Sequence, residues 1–157
     1  KVESDFKAMI RRVLGEFEEE GKKRNIHIEL EGIDAIPSFF YDPLIIEKST
    51  RIILKNAILY GPDGGEVLIR GETKEINTVP HLVFSVADKG IGITEEEKKN
   101  IFSRFYRGEE ARKISPNGFG LGLFITKHFI ERHGGKLWFT SPGRNEGTVF
   151  FFSLPLE

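Results

Sequence analysis

Leu82-Val83-Phe84-Ser85-Val86-Ala87-Asp88-Lys89-Gly90-Ile91-Gly92-Ile93 is the stretch on which the reading of this chain turns. Its first half alternates as a strand does, placing Leu82, Phe84, Val86 and Asp88 on one face. Three of the four are apolar, so the carboxylate points toward the same interior and needs a partner there. Ionised, it only accepts hydrogen bonds, which suits a donor such as an exocyclic amine. Gly90 and Gly92 follow at once and let a flat ligand approach the backbone closely. Taken alone, the stretch fits equally an aspartate and two glycines closing an ordinary turn.

Upstream of this strand, Glu66 to Glu72 reads as its hairpin partner, joined to it near Asn77. Gly61-Pro62-Asp63-Gly64-Gly65 is a turn that ends a long helix. That helix starts at Asp42-Pro43, an N-cap followed by proline at the first helical position, and runs to about Tyr60. Earlier still, Ile36 to Phe40 and Ile26 to Leu30 read as short strands. Val2 to Glu20 carries Phe6, Met9, Ile10, Val13, Leu14 and Phe17 at helical spacing. Downstream, Thr94 and Glu97 form a capping box for a short helix through about Phe102. Residues 107–117 are polar and without period, and read as a loop. A helix then reaches about His133 and is closed by Gly134-Gly135, and Lys136 to Thr140 and Thr148 to Pro155 are the last strands. This order predicts an α+β fold, a two-layer α/β sandwich with one mixed, mostly antiparallel sheet covered on one face by helices.

Three more places break the apolar pattern. Asn56 sits in the helical stripe Ser49, Ile52, Ile53, Asn56, Leu59, Tyr60. Its amide is either a core group bonded to backbone or an oxygen ligand for a hard cation such as Mg²⁺. Gly118-Phe119-Gly120-Leu121-Gly122-Leu123 leads straight into a helix, and closely spaced glycines there offer backbone N–H groups to an anion. No Gly-Lys-Ser/Thr follows and no strand immediately precedes it, so it is neither a Walker loop nor a dinucleotide fingerprint; a flexible hinge is the other reading. In Ile101-Phe102-Ser103-Arg104-Phe105-Tyr106-Arg107 the phenylalanines are expected to pack the base of the following loop. Arg107 is either a solvated surface arginine or a planar fork within reach of a terminal phosphate.

Composition narrows the function classes. The 157 residues carry 23 Lys+Arg against 24 Asp+Glu, so bulk charge gives no support for nucleic-acid binding. With no cysteine, disulfides, thiolate zinc sites and cysteine nucleophiles are excluded. No apolar run approaches the roughly 20 residues that span a bilayer, so no membrane contact by this chain is expected.

In order and spacing, Asn56, Asp88-Lys89-Gly90-Ile91-Gly92, Ile101 to Arg107, Gly118 to Gly122 and Gly147-Thr148 resemble the N, G1, F, G2 and G3 boxes of sensor histidine kinases. His133-Gly134-Gly135 stands in its usual place after the G2 helix. The resemblance, to the catalytic and ATP-binding domain of these kinases, covers about Val2 to Pro155 and implies one domain over residues 1–157. The implied fold is the Bergerat fold of the GHKL superfamily, shared with gyrase-type ATPases and heat-shock chaperones. It further implies that ATP and Mg²⁺ are the cofactors. Asp88 would accept from the adenine amino group, Tyr60 would pack on the base, and Thr148 would close the adenine pocket. Gly90 and Gly92 would border the base, with Ile93, Phe105 and Tyr106 also on the nucleotide. Residues from about Tyr106 to Asn117 would form the ATP lid. Gly118, Phe119, Gly120, Leu121, Gly122 and Leu123 would hold phosphates. Asn56, as metal ligand, and Arg107, at the γ-phosphate, would be the catalytic residues.

The same resemblance implies a two-component protein-histidine kinase whose acceptor histidine lies on a dimerisation domain expected to precede Lys1. The phosphoryl group would pass to an aspartate of a response-regulator receiver domain. The parent would be a homodimer, with this domain in the cytoplasm. None of His27, His81, His128 and His133 resembles the acceptor motif, and all four are expected to be structural. Two positions depart from the family: Ile52 stands where a second asparagine is usual, and Leu59 where a lysine or arginine often is. In hydrolytic relatives the position of Ile52 carries a glutamate base, so its absence argues for transfer rather than hydrolysis. The alternatives are a non-catalytic nucleotide-binding module and a same-fold serine kinase or ATPase.

Overall fold

The computed structural model of the chain describes residues 1–114 and 121–157. Its first element is a strand, β1 (Val2–Ser4), where the helical stripe predicted helix from Val2. Asp5 separates the two: its carboxylate accepts from the Ala8 N–H at 3.1 Å and so caps the helix that follows. That helix, α1 (Phe6–Glu16), buries Phe6, Met9, Ile10 and Val13 at the expected spacing. It also ends early. Phe17 leaves helical geometry, and its N–H bonds the Leu14 carbonyl; a second short helix, α2 (Glu18–Lys23), starts beyond it. Phe17 packs instead, partly buried, against the core, as do Ile28 and Leu30 of the next strand, β2 (His27–Glu31).

A 3₁₀ turn at Ile33–Ala35 shortens the next predicted strand to β3 (Phe39–Tyr41). β3 pairs antiparallel with β1 as a two-stranded ribbon apart from the main sheet, where the sequence predicted one sheet only. The long helix α3 (Pro43–Tyr60) starts as predicted, with the Asp42 carboxylate accepting from Leu44 N and Ile45 N. The hairpin β4 (Glu66–Ile76) and β5 (Val79–Asp88) follows, then the short helix α4 (Glu95–Lys98), whose Thr94/Glu97 capping box is complete. Residues 107–117 hold a helix, α5 (Glu109–Ile114), rather than a plain loop. Glu109 and Glu110 in its first turn and Arg112 and Lys113 in its last complement the helix dipole, which compensates for the missing apolar period. Helix α6 (Gly122–Arg132) and strands β6 (Lys136–Thr140) and β7 (Thr148–Pro155) complete the chain.

The main sheet runs β2-β4-β5-β7-β6, parallel only between β2 and β4. Phe6 is fully buried between the helices and the sheet, with the rings of Phe84 at 5.5 Å, Phe39 at 6.1 Å, Tyr41 at 6.3 Å and Phe152 at 6.4 Å. This aromatic cluster fixes α1 over β5 and β7, and α3 packs against α1, α6 and β5. His133 ties the far end together: its Nδ1 donates to the Phe129 carbonyl and its Nε2 accepts from Asp42 N–H at 3.3 Å. Those two bonds require one neutral tautomer, so His133 joins the end of α6 to the start of α3.

Candidate nucleotide site

The C-terminal turn of α3 and the C-terminal end of β5 meet at the edge of the helical layer, and each is held by groups far away in sequence. At the helix, the Arg24 guanidinium donates to the Ile58 and Gly61 carbonyls and pairs with Asp63 at 2.7 Å. These are carbonyls that a helix end leaves unsatisfied. Tyr60 O accepts from Ile91 N at 3.3 Å, which docks the loop after β5 on the same helix end.

At the strand, Asp88 stands opposite Thr148 of β7 and Val67 of β4. Its Oδ1 accepts from Gly90 N at 2.9 Å. Burial pushes its carboxyl from the ordinary 3.8 up to about 6, against the opposing pull of the Gly90 and Thr148 backbone N–H groups. The two glycines are needed for two different close approaches. A Cβ on Gly90 would stand 2.3 Å from Tyr60 O, and one on Gly92, whose φ is +68°, would stand 1.9 Å from Gly143 O.

The second of those approaches belongs to a clasp that sequence reasoning missed. The β6–β7 turn folds over the loop after β5: Asn145 N donates to Ile91 O at 2.7 Å and Gly147 N to Gly90 O at 3.2 Å. The buried Ser141 hydroxyl accepts from Ile93 N at 2.9 Å and donates to Gly147 O at 2.7 Å. Arg144 pairs with Glu97 at 2.7 Å while Glu97 also caps α4. Glu97 was legible as a cap; its second partner, 47 residues away, was not.

Between these elements lies a continuous cleft. Its inner part is lined by Asn56, Tyr60, Asp88, Gly92, Ile93, Leu123 and Thr148 together with Ile91, Glu97, Ala111 and Phe150. The outer part shares Asn56, Tyr60 and Leu123 and adds Ile52, Lys55, Leu59, Tyr106, Arg107, Leu121 and Gly122. The fold thus gathers into one cavity residues that lie as far apart in sequence as Asn56 and Thr148. Gly90 lines neither part of the cleft and meets the site only through its N–H bond to Asp88. Arg107 donates to the Tyr60 hydroxyl at 3.3 Å and to the Ala111 carbonyl at 3.1 Å, so the start of α5 is tied to the end of α3.

Phe105 corrects the expectation. It lines neither part of the cleft, is 62% exposed and has a φ of +64°. Of the box phenylalanines, Phe102 does the packing, edge-on to Phe139 at 5.6 Å. Gly118, Phe119 and Gly120 lie outside the described residues. The four histidines line neither part of the cleft.

The charges divide along the cleft. Asp88 and Glu97 line the inner part, where there is no lysine or arginine among the described residues. Lys55 and Arg107 line the outer part, where there is no carboxylate among the described residues. No cluster of three or more His, Cys, Asp or Glu able to hold a metal occurs among the described residues. The Asn56 amide makes no hydrogen bond among them, which removes support for the backbone-bonded reading. With one amide oxygen and no carboxylate, the outer part fits a hard cation that keeps phosphate oxygens and water as its other ligands.

Residues 41–157 match the family model described as histidine kinase-, DNA gyrase B-, and HSP90-like ATPase. The chain is 40% identical to the sensor histidine kinase WalK of Bacillus subtilis (strain 168) over 114 residues, which is 71% of this chain and 18% of WalK. It therefore spans under a fifth of that relative's length. The nucleotide-free catalytic domain of histidine kinase ThkA superposes with a TM-score of 0.82 at 30% identity, covering 99% of this chain and 95% of that domain. ThkA in complex with the response regulator protein TrrA superposes with a TM-score of 0.78 at 30% identity, covering 99% of this chain and 42% of ThkA. The mostly antiparallel sheet under helices, the cleft at the end of α3 and these likenesses agree: the chain belongs to the histidine kinase-, DNA gyrase B- and HSP90-like ATPase family, as an ATP-binding catalytic domain of the sensor histidine kinase type.

Proposed function

We propose that this chain is the catalytic part of a two-component kinase. It would hold Mg-ATP in the cleft and present the γ-phosphate to a histidine on a dimerisation domain of the same protein. The observation that carries the proposal is the polarity of the cleft, acid at one end and base at the other. An adenine amino group is a donor and suits Asp88; a triphosphate is an acceptor and suits the other end. In this reading Tyr60 packs on the base, Thr148 closes the pocket beside Asp88, and Leu121, Gly122 and Leu123 meet the phosphates. The Asn56 carbonyl oxygen is the group that would hold Mg²⁺, and the ion would neutralise phosphate charge as the group transfers.

The chain's own part is positioning. Arg107 sits where the lid begins, bonded to Tyr60 and Ala111, so lid movement carries its guanidinium along the cleft. Ile52 lines the outer part with a branched hydrocarbon. No carboxylate stands there among the described residues to activate water, which favours transfer to a protein acceptor over hydrolysis. The phosphohistidine would then donate to an aspartate of a receiver domain; the ThkA–TrrA complex supports a response regulator as partner. In this reading a dimerisation domain would precede Lys1 in the parent, the parent would be a homodimer, and the site would face the cytoplasm, where ATP is. No helix among the described residues is long and apolar enough to cross a membrane.

The apolar Ile52 and Leu59 favour a second reading, a module that binds nucleotide without transferring phosphate. Incubating the chain with a separately produced histidine-bearing dimerisation domain and γ-labelled ATP distinguishes the two. Acid-labile, base-stable label on the dimerisation domain, chased by a receiver domain, is the expected result. Tight ATP binding without label on any acceptor would replace kinase by module, and rapid phosphate release without an acceptor would replace it by ATPase.

A further inference from the structure

Helix α3 carries three cations, and two of them are engaged. Arg51 faces α1 and pairs with Glu16 at 2.6 Å and with Glu47 at 2.8 Å. Lys48 lies over the Phe129 ring at 6.0 Å. Lys55 is exposed, makes no ion pair or hydrogen bond among the described residues, and lines the outer part of the cleft beside Asn56 and Arg107.

Its placement follows from helix geometry. Ile52, Lys55, Asn56, Leu59 and Tyr60 are spaced i, i+3, i+4, i+7 and i+8, which is one face of α3. That face runs along the cleft from its outer to its inner part, ending where Tyr60 meets the loop after Asp88. Lys55 is therefore the charge that α3 itself delivers to the outer part, flanked by the hydrocarbon of Ile52 and Leu59. Arg107, the other base there, is committed to Tyr60 and Ala111. A lysine is a point charge on a flexible stem with three donors, able to follow a phosphate chain rather than fix one plane of it.

We propose that Lys55 is the polyphosphate-binding cation of α3, pairing its ammonium with the outer phosphates of a nucleotide whose base lies at Asp88. Leu59, one turn further along the same face, sits where a lysine or arginine is usual in the kinases this chain resembles. The single cation of this face thus stands one turn nearer the outer rim. The assignment rests on reading the cleft as a nucleotide site, and its test is separable from that reading.

The experiment is calorimetric titration of the chain and of Lys55→Met with ATP, ADP and adenosine at two salt concentrations. A partly solvated charge pair is worth about 1 kcal/mol at most, so ATP affinity is expected to fall about fivefold. Adenosine affinity is expected to stay within about twofold, and the salt dependence of ATP binding to flatten, because one screened contact is gone. Adding Leu59→Lys to Lys55→Met moves the charge by one helical turn and is expected to recover most of the lost ATP affinity. Unchanged ATP affinity in Lys55→Met overturns the assignment, as does an equal loss for ATP and adenosine, which would mark a structural effect. If the unsubstituted chain binds neither ATP nor adenosine, the nucleotide reading itself fails. If it binds both and Lys55→Met matches it, only the role of Lys55 does.

Discussion

Replacing Asp88 by asparagine is expected to make the free domain more stable and its complex with ATP weaker. The reason is the position of this carboxylate. Burial raises it from the ordinary 3.8 to about 6, which means that the fold holds its proton more firmly than the unfolded chain does. Between those two values the folded state binds more protons, so stability declines as pH rises from about 4 to about 6 and is level above that. The gap corresponds to about 3 kcal/mol at neutral pH if the whole effect is expressed. Asp88 is partly solvated, and asparagine accepts less strongly from Gly90 N, so a net gain of about 1–2 kcal/mol is the better expectation. Asparagine does not titrate, and the gain should vanish near pH 4.

Urea unfolding of both proteins at pH 4.5 and pH 7.5 measures this directly, provided the m-values agree. The same substitution exchanges an anionic acceptor for an amide at the base-binding end, and ATP affinity should fall by about 2 kcal/mol or more. ATP should thus raise the melting temperature of the unsubstituted chain and leave that of Asp88→Asn nearly unmoved. An asparagine variant less stable at pH 7.5, or a stability difference equal at both pH values, would refute the reasoning. In either case burial of the charge would not be what sets the carboxyl.

Other substitutions probe the supports of the cleft. Gly92→Ala places a methyl group on the Gly143 carbonyl at a φ of +68°, and is expected to cost about 1–3 kcal/mol of stability by urea titration and to weaken ATP binding. Arg24→Met leaves the Ile58 and Gly61 carbonyls without their donor; a loss of about 1–2 kcal/mol in the same assay, with a smaller effect on ATP, is expected. Glu97→Gln weakens both the cap of α4 and the pair with Arg144, and should raise the dissociation rate of a fluorescent ATP analogue in stopped flow while costing about 1 kcal/mol of stability.

What was legible in the sequence was local. Asp42-Pro43 named the start of α3 because a cap acts within three residues, and the Thr94/Glu97 box did so for α4. Asn56 and Asp88 stood out because each interrupts an apolar periodicity, and the fold does bring both to one cleft. Nothing local marks Arg24, because its target carbonyls are 34 and 37 residues away. The pairing of Val2–Ser4 with Phe39–Tyr41 depends on a register that no short window contains. Asp5 could have revealed only that α1 starts at Phe6, since an aspartate three residues before Ala8 is a favoured cap. The exposure of Phe105 was hidden for another reason: an aromatic residue next to a packed one reads as core until its positive φ is known.

The separation of charge along the cleft is a consequence of topology, not of any single motif. The inner carboxylate Asp88 is carried by the sheet, at the end of its central strand, and Lys55 by α3; the hydrogen bond from Ile91 N to Tyr60 O holds the two carriers at one spacing. The clasp of Ser141, Arg144 and Asn145 presses on that junction from the opposite side. A ligand that must be acceptor-rich at one end and donor-rich at the other then fits in one orientation only, because reversing it would place phosphate oxygens against Asp88 and Glu97. Orientation of the nucleotide is thus decided by the walls of the cleft. Of the segment after Tyr106, Ala111 of α5 reaches both parts, and Arg107 meets the outer one on the same α3 face that carries Lys55.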